Sequence, residues 1–155
     1  MRLVLQRVSS ASVSVSGQTV GSIGHGLLVL IGVREGDDEA EAHRIATKTA
    51  ELRVFPDEAG RFNRSLLECG YEALVVSQFT LYGDLRKGRR PSFNDAAHPE
   101  AAEPLIEAYA QALEGHGVTV SRGSFGAHME VELVNDGPVT LILDSADSDR
   151  PRRSK

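Results

Sequence analysis

The amino-acid sequence predicts one compact α+β domain: a curved, mostly antiparallel sheet or partial β-barrel, with two main helices packed on one side. Three observations support this prediction. The chain has 155 residues, which suits one domain better than two. Many short segments have the apolar pattern of strands, and only two have helical periodicity. The helices are not regularly interleaved with the strands, which argues against a doubly wound parallel sheet.

The first third of the chain predicts three strands and one helix. Residues 2–15 alternate apolar and polar side chains, which is typical of a half-buried strand, and a short turn leads to a partner strand at residues 19–23. The continuous apolar run at residues 27–33 predicts a central strand buried on both faces. The acidic pair 37–38 can begin a helix, and apolar side chains recur at helical spacing over residues 42–50.

The remaining two thirds predict further strands and a second helix. The expected strands occupy residues 52–55, 73–81, 118–121, 129–134 and 139–143. A polar segment at 56–70 separates the first two, and residues 135–138 join the last two through a turn. The helix covers residues 99–114, and Pro104 predicts an irregular first turn within it. We expect residues 1–144 to form the domain and residues 145–155, rich in Ser, Asp, Arg and Pro, to form a charged, flexible tail.

Composition limits the classes of function. Hydrophobic residues make up 41% and charged residues 25%, as in folded globular proteins. The single cysteine, Cys69, fits a reducing compartment, and no apolar run is long enough to suggest a signal peptide or a membrane span. We therefore expect a cytoplasmic protein without membrane contact. The net charge of −5 argues against general coating of nucleic acid.

Common catalytic motifs are absent from the sequence. It has no glycine-rich phosphate loop, no G-x-S-x-G elbow and no H-E-x-x-H motif, and its five histidines lack metal-ligand spacing. No two carboxylates stand out as an acid/base pair. We expect neither a metal nor a cofactor, so any catalysis must depend on backbone dipoles and on groups of the substrate.

Three segments carry side chains that could take part in catalysis or binding, and each also has a purely structural interpretation. Ser77, Gln78, Phe79 and Thr80 place polar groups at the end of an apolar strand, where they could simply cap local backbone groups. The segment 134–140 could be an ordinary hairpin turn. The third is a cluster of cations that could be a solvated loop or a contact for RNA phosphates: Arg86, Lys87, Arg89 and Arg90.

Taken together, these segments resemble the D-aminoacyl-tRNA deacylase family, whose hallmark motifs are an SQ-x-T strand end and an N-x-G-P-x-T segment. Both motifs are present, at residues 77–80 and 135–140. The resemblance extends over residues 1–143, in the order of the family. Further matches are Gln6-Arg7-Val8, the glycine-flanked strand 26–32, Arg89-Arg90-Pro91-Ser92-Phe93, and Phe125-Gly126-Ala127 before Met129.

The resemblance implies a homodimeric enzyme that hydrolyses the ester bond between tRNA and a D-amino acid, or glycine, without a cofactor. Ser77, Gln78, Phe79 and Thr80 would form the floor of the catalytic pocket, with backbone N–H groups of Phe79 and Thr80 facing the carbonyl. The attacking group would be water, assisted by the 2′-hydroxyl of the terminal adenosine. Thr80 is the alternative nucleophile, but no base is evident beside it.

The resemblance also assigns the selection of chirality to a Gly-cisPro dipeptide, Gly137-Pro138, that reaches into the pocket of the partner subunit. Its carbonyls would exclude an L side chain, whereas glycine would pass. Arg7 would brace the dipeptide, although it could equally be a surface arginine. Phe125 and Met129 would line the pocket or the adenosine site, with core packing as the alternative.

Two other functions stay open at this point. The cluster at residues 86–90 would also suit a nonenzymatic RNA-binding module that grips single-stranded ends. A general esterase would instead use Ser77 or Thr80 as a covalent nucleophile.

Overall fold

Strand β1 organises the sheet of this chain, whose computed structural model describes residues 1–149. It pairs antiparallel with β2 and β3 along one edge and with β8 along the other. The strands are β1 (Arg2–Val15), β2 (Gln18–Ile23), β3 (Gly26–Gly32), β4 (Phe55–Pro56), β5 (Phe62–Arg64), β6 (Glu72–Ser77), β7 (Thr119–Arg122) and β8 (Glu130–Asp144). The helices are α1 (Glu39–Glu51), α2 (Leu66–Cys69) and α3 (Pro99–Gly115), with 3-10 turns at Phe79–Tyr82 and Ser145–Asp149.

The sheet is mixed and curves until it nearly closes. β3, β6 and β7 are parallel to one another, whereas all pairings of β1 are antiparallel. The outermost strands β2 and β7 approach each other, and the Ser121 hydroxyl donates a 3.1 Å hydrogen bond to the Ser22 carbonyl. The predicted α+β fold with a curved sheet or partial barrel is therefore confirmed.

Two apolar clusters stabilise the fold. The larger one lies between the sheet and the helices, and it includes buried residues of β1, β3, α1 and α3. Within it, the Tyr109 hydroxyl of α3 donates to the Thr49 hydroxyl of α1 at 3.0 Å, so the phenol is satisfied despite complete burial. The smaller cluster fills the inside of the curved sheet. The two main helices lie on one side, as predicted.

Several predicted boundaries are wrong. The strand expected to reach Leu81 ends at Ser77, because the chain turns there into the 3-10 turn. Residues 135–138 do not form a hairpin: both halves of β8 pair with β1 in the same direction, so the strand continues through them with a register shift. The polar segment contains α2, which begins with a capping box formed by Ser65 and Glu68.

The second helix follows its prediction closely. α3 begins at Pro99 and continues through Pro104 to Gly115. Helix α1 begins after Asp38, whose carboxylate accepts a 2.8 Å hydrogen bond from the Glu41 N–H as an N-cap does. None of the helices within residues 1–149 combines the length and apolar character needed to span a bilayer.

The predicted tail at residues 145–155 is only partly covered by the structure. Ser145 is buried, and its N–H donates to the Met1 carbonyl at 2.9 Å. Residues 150–155 lie outside the described residues. The boundary between the domain and the tail stays a prediction.

Candidate active site

The SQ-x-T motif lies where two parallel strands end side by side. Ser77 is the last residue of β6 and is aligned with Ile31 of β3. The next N–H, that of Gln78, donates to the Ile31 carbonyl at 2.8 Å. The chain then leaves the sheet in the Phe79–Tyr82 turn. The motif therefore lies at the carboxyl edge of parallel strands, where open α/β sheets commonly bind ligands.

The Phe79–Tyr82 turn presents backbone donors. Its first hydrogen bond runs from the Leu81 N–H to the Gln78 carbonyl at 3.2 Å, and the Gly83 N–H donates to the Thr80 carbonyl at 2.9 Å. The N–H groups of Phe79 and Thr80 precede this first bond, as the leading donors of any helical turn do. The Gln78 amide donates to the Thr80 hydroxyl, which restricts the orientation of that side chain.

An apolar cleft of about 350 Å³ opens between this turn and the start of α3. The ring of Phe79 is 57% exposed and packs edge to face on Phe93, with 5.0 Å between ring centroids. Ser77 and His98 bring polar groups to the lining. The remaining lining residues are Ile31, Val33, Ala96, Ala97, Pro99, Ala102, Ile106, Phe125 and Gly126.

A second cavity, of about 330 Å³, adjoins the cleft and shares Ser77, Ile106 and Phe125 with it. Its outer wall is charged, because Arg122 of β7 lies there with Glu107. The Arg122 guanidinium donates to the Glu107 carboxylate at 3.0 Å. Phe125 therefore separates an apolar compartment from a charged one.

Met129, predicted near the pocket, does not line the cleft. It packs on the cluster inside the curved sheet, and its sulfur accepts a hydrogen bond from the Ser124 N–H at 3.3 Å. Through this contact it supports the loop that carries Phe125.

The Gly137–Pro138 peptide bond is cis and lies in an exposed excursion in the middle of β8. The Asn135 side chain closes the excursion on itself. Its carbonyl oxygen accepts from the Val139 N–H at 2.7 Å, and its amide nitrogen donates to the Val139 carbonyl at 3.1 Å and to the Thr140 hydroxyl at 3.2 Å. The excursion comprising residues 135–139 is hereafter called the selector loop, after the role that the family resemblance implies for it.

Arg7 holds the selector loop from β1. Its side chain is buried, and the residue is only 8% exposed. The guanidinium donates to the Asp136 carbonyl at 2.8 Å and to the Val54 carbonyl at 2.7 Å, and it lies 5.3 Å from the centre of the Phe62 ring. Arg7 thus fixes the peptide that precedes Gly137.

Within one chain, the selector loop and the cleft lie apart. Ile31, which receives the Gln78 N–H, is aligned with Leu3 of β1, whereas Asn135 is aligned with Val8. Five residues of antiparallel strand span roughly 17 Å. The loop also lies on the edge of β1 opposite to β3. The structure does not bring the two motifs together within one chain.

The basic cluster follows the turn directly. Arg86 is engaged by Asp84, with hydrogen bonds of 2.9 and 2.7 Å between guanidinium and carboxylate. These bonds lower the pKa of Asp84 to about 2. The three other cations are exposed and make no ion pair within residues 1–149: Lys87, Arg89 and Arg90.

Sequence reasoning missed several residues that shape these segments. Phe93 and His98 line the same cleft as Phe79, but no periodicity in the sequence shows that the chain before α3 brings them there. Asn135 belongs to a motif that gave it no role, although an Asn before Gly-Pro is a signal for side-chain bonds to the backbone. Arg2, which donates to the Leu81 carbonyl, has no signal in the sequence.

Comparisons with known proteins identify relatives over nearly the whole chain. Residues 4–144 match the family model described as D-Tyr-tRNA(Tyr) deacylase. The chain is 63% identical to the D-aminoacyl-tRNA deacylase of Roseiflexus castenholzii, over 98% of this chain and 97% of that protein. It is also 63% identical to the D-aminoacyl-tRNA deacylase of Thermomicrobium roseum, over 95% of this chain and 96% of that protein.

Two solved structures share the fold. A protein described as c-Myc DNA unwinding element binding protein is 39% identical, with a TM-score of 0.86, over 93% of this chain and 98% of that chain. A probable eukaryotic D-amino acid tRNA deacylase is 18% identical, with a TM-score of 0.82, over 92% and 97% of the two chains, and shows the fold alone.

Proposed function

Because the chain belongs to the D-Tyr-tRNA(Tyr) deacylase family and is a hydrolase of D-aminoacyl-tRNA, we propose that it removes D-amino acids and glycine from tRNA as a cytoplasmic proofreading step of translation. One observation carries the proposal. Ser77 and Phe79 line an apolar cleft, and the Phe79–Tyr82 turn that starts there has the N–H groups of Phe79 and Thr80 ahead of its first hydrogen bond. This arrangement suits stabilisation of an oxyanion next to a bound aromatic base.

The proposed chemistry uses water as the nucleophile. The ester of an aminoacyl-tRNA is already activated, so positioning and oxyanion stabilisation supply most of what hydrolysis needs. Water adds to the carbonyl carbon while the N–H groups of Phe79 and Thr80 donate to the developing oxyanion. The bond to the ribose 3′-oxygen then breaks, and the 2′-hydroxyl relays the proton from the water to that oxygen.

A covalent mechanism lacks support in the hydrogen bonds of the site. Within residues 1–149, the Thr80 hydroxyl has the Gln78 amide as its hydrogen-bond partner, and no histidine or carboxylate is bonded to it or to Ser77. A hydroxyl nucleophile needs such a base.

The cleft would hold the terminal adenosine. Phe79, Phe93 and Phe125 offer apolar and aromatic surface, and stacking of a base on an aromatic side chain contributes about 1–3 kcal/mol. The cations of the following loop would contact tRNA phosphates, and Lys87, Arg89 and Arg90 are better placed to do so than Arg86, which already binds Asp84.

Selection of chirality would require a two-fold dimer. Asp136, Gly137 and Pro138 are exposed, and the selector loop lies roughly 17 Å along β1 from the cleft of its own chain, so it would complete the site of a partner instead. There its backbone carbonyls would occupy the space that an L side chain needs. A D side chain would point elsewhere, and glycine has no side chain to exclude.

The direct test is deacylation of D-Tyr-tRNA, L-Tyr-tRNA and glycyl-tRNA by the purified protein, side by side. We expect hydrolysis of the D and glycyl substrates and none of the L substrate. Binding of tRNA without hydrolysis of any substrate would contradict the proposal and favour a nonenzymatic RNA-binding module. Sedimentation in the same buffer tests the dimer, since a fully active monomer would contradict selection by the partner subunit.

A further inference from the structure

The C-terminal end of the Phe79–Tyr82 turn is held by an arginine that the proposed mechanism does not use. Arg2, at the start of β1, donates from Nη1 to the Leu81 carbonyl at 3.0 Å and from Nε to the Asp144 carboxylate at 2.7 Å. Its guanidinium also lies 4.9 Å from the centre of the Tyr82 ring. One side chain therefore joins β1, the end of β8 and the turn.

These contacts restrict the orientation of the turn. A guanidinium is a planar fork, so donation to Leu81 and to Asp144 together fixes its plane, which a lysine ammonium would not do. A cation near the last carbonyls of a helical turn is also electrostatically favourable. The Leu81 N–H donates to the Gln78 carbonyl, so Leu81 is held on both sides. Fixing Leu81 limits the movement of the short turn, and with it the orientation of the N–H groups of Phe79 and Thr80.

We propose that Arg2, held by Asp144, is a positioning residue that orients the backbone N–H groups of Phe79 and Thr80 toward the substrate carbonyl. The inference rests on the proposed function, because it assigns these N–H groups to the oxyanion. Arg2 itself contacts no reacting atom. The Arg2 side chain is 40% exposed, so water can replace much of what it provides when it is removed, and the main effect should be on rate.

The space behind the turn makes a chemical rescue feasible. A polar cavity of about 900 Å³ is lined by Arg2, Tyr82 and Asp144, and it shares no lining residue with the apolar cleft. Shortening Arg2 would open its place to this cavity. A free guanidinium ion could then enter and bridge the Leu81 carbonyl and the Asp144 carboxylate.

The test compares the Arg2→Ala and Arg61→Ala variants with the unaltered chain on D-Tyr-tRNA. Arg61 is a matched control, since it pairs with Asp57 at 3.3 Å on an exposed turn. We expect Arg2→Ala to lower kcat by about ten- to a hundredfold, as small misplacements do, with KM changed by less than about twofold. Guanidinium chloride below denaturing concentrations should restore kcat several-fold, whereas sodium chloride of equal ionic strength should not.

The outcomes separate this inference from the proposed function. Inactivity of the unaltered chain overturns both. An active unaltered chain with an equally active Arg2→Ala variant, or with a loss that guanidinium fails to restore, overturns the role of Arg2 alone. If Arg2→Ala does not fold, Arg2→Lys decides: it keeps the charge but cannot reach both partners, so we expect a reduced kcat, and an unchanged kcat overturns the inference.

Discussion

The Phe79–Tyr82 turn and the selector loop are both short irregular segments, and each receives a hydrogen bond from an arginine of β1 to one of its backbone carbonyls. Arg2 binds the Leu81 carbonyl and Arg7 binds the Asp136 carbonyl. The settings differ. Arg7 is buried and bonds to carbonyls of two segments, whereas Arg2 is partly exposed and pairs with a carboxylate.

The difference in burial between Arg7 and Arg2 predicts different effects on the stability of the fold and on the rate of hydrolysis. A buried donor that satisfies a buried carbonyl, as Arg7 does at Val54, cannot be removed without leaving that acceptor unpaired, which costs stability. A partly exposed donor can be removed more cheaply, because water replaces it. We therefore expect removal of Arg7 to affect both folding and selection, and removal of Arg2 to affect mainly the rate of hydrolysis.

The largest expected effect is that of Gly137→Ala in the selector loop. An added Cβ would lie 2.6 Å from the Val139 nitrogen and 2.7 Å from its Cγ2, so the loop must shift. We expect the rate of D-Tyr-tRNA hydrolysis to fall by about a hundredfold, because small displacements of groups in an active site have effects of that size. The circular dichroism spectrum should show that the fold is retained. Gly115→Ala is the matched control, because its Cβ would meet open space. Full activity of Gly137→Ala would remove the loop from the site.

Arg7→Ala should come next, and it tests which interaction of Arg7 matters. Without the bonds from Arg7, the carbonyls of Asp136 and Val54 lack this donor, so the free energy of unfolding should fall by about 1–3 kcal/mol. We also expect weaker discrimination between D-Tyr-tRNA and L-Tyr-tRNA. Asp136→Ala removes only a 3.7 Å ion pair and keeps the carbonyl, so it should be nearly neutral. Urea denaturation and the two deacylation rates measure these effects.

The basic cluster at residues 86–90 is expected to contact the phosphates of tRNA. Replacing Lys87 and Arg89 by Gln should weaken tRNA binding and flatten its salt dependence. The slope of log affinity against log salt should fall by about 0.7–0.9 for each phosphate that is no longer neutralised. Arg86→Gln should have a smaller effect, because Asp84 already neutralises that guanidinium. Filter binding at several salt concentrations measures both. Equal slopes for all variants and the unaltered chain would mean that the loop contacts no phosphate.

The smallest expected effect is that of Thr80→Ala in the Phe79–Tyr82 turn. If the turn acts through its backbone, loss of the hydroxyl removes only the bond from Gln78, and kcat should stay within about tenfold of the unaltered chain. A covalent nucleophile would give complete loss, with an acyl-enzyme detectable by mass spectrometry on the unaltered chain. Ser77→Ala provides the same test for the other hydroxyl.

The sequence predicted elements whose periodicity is strong and failed where tertiary pairing decides. The long β1, the buried β3 and the helices α1 and α3 lie close to their predicted positions. The hairpin predicted at residues 135–138 is wrong because turn-forming residues also suit a bulge, and only the pairing of both halves with β1 distinguishes the two.

The candidate site could be predicted in part from the sequence, because each of its two motifs is a continuous stretch of residues. The resemblance identified both, but it could not place them in space. The contacts of Arg2 with Leu81 and Asp144 join residues 79 and 142 positions apart, and no local pattern encodes such a separation. The aromatic wall of Phe93 likewise depends on how the loop before α3 folds back.

The self-closure of the selector loop has a consequence for protein design. Because Asn135 bonds to Val139 and Thr140 within the same segment, most of the shape of the loop is encoded in six consecutive residues. From the neighbouring strand, Arg7 donates to the Asp136 carbonyl and Gln6 donates to the Thr140 hydroxyl at 3.3 Å. A long antiparallel strand pair with an arginine at the matching register could therefore accept the segment as a graft, which would transfer a rigid backbone probe to an unrelated sheet.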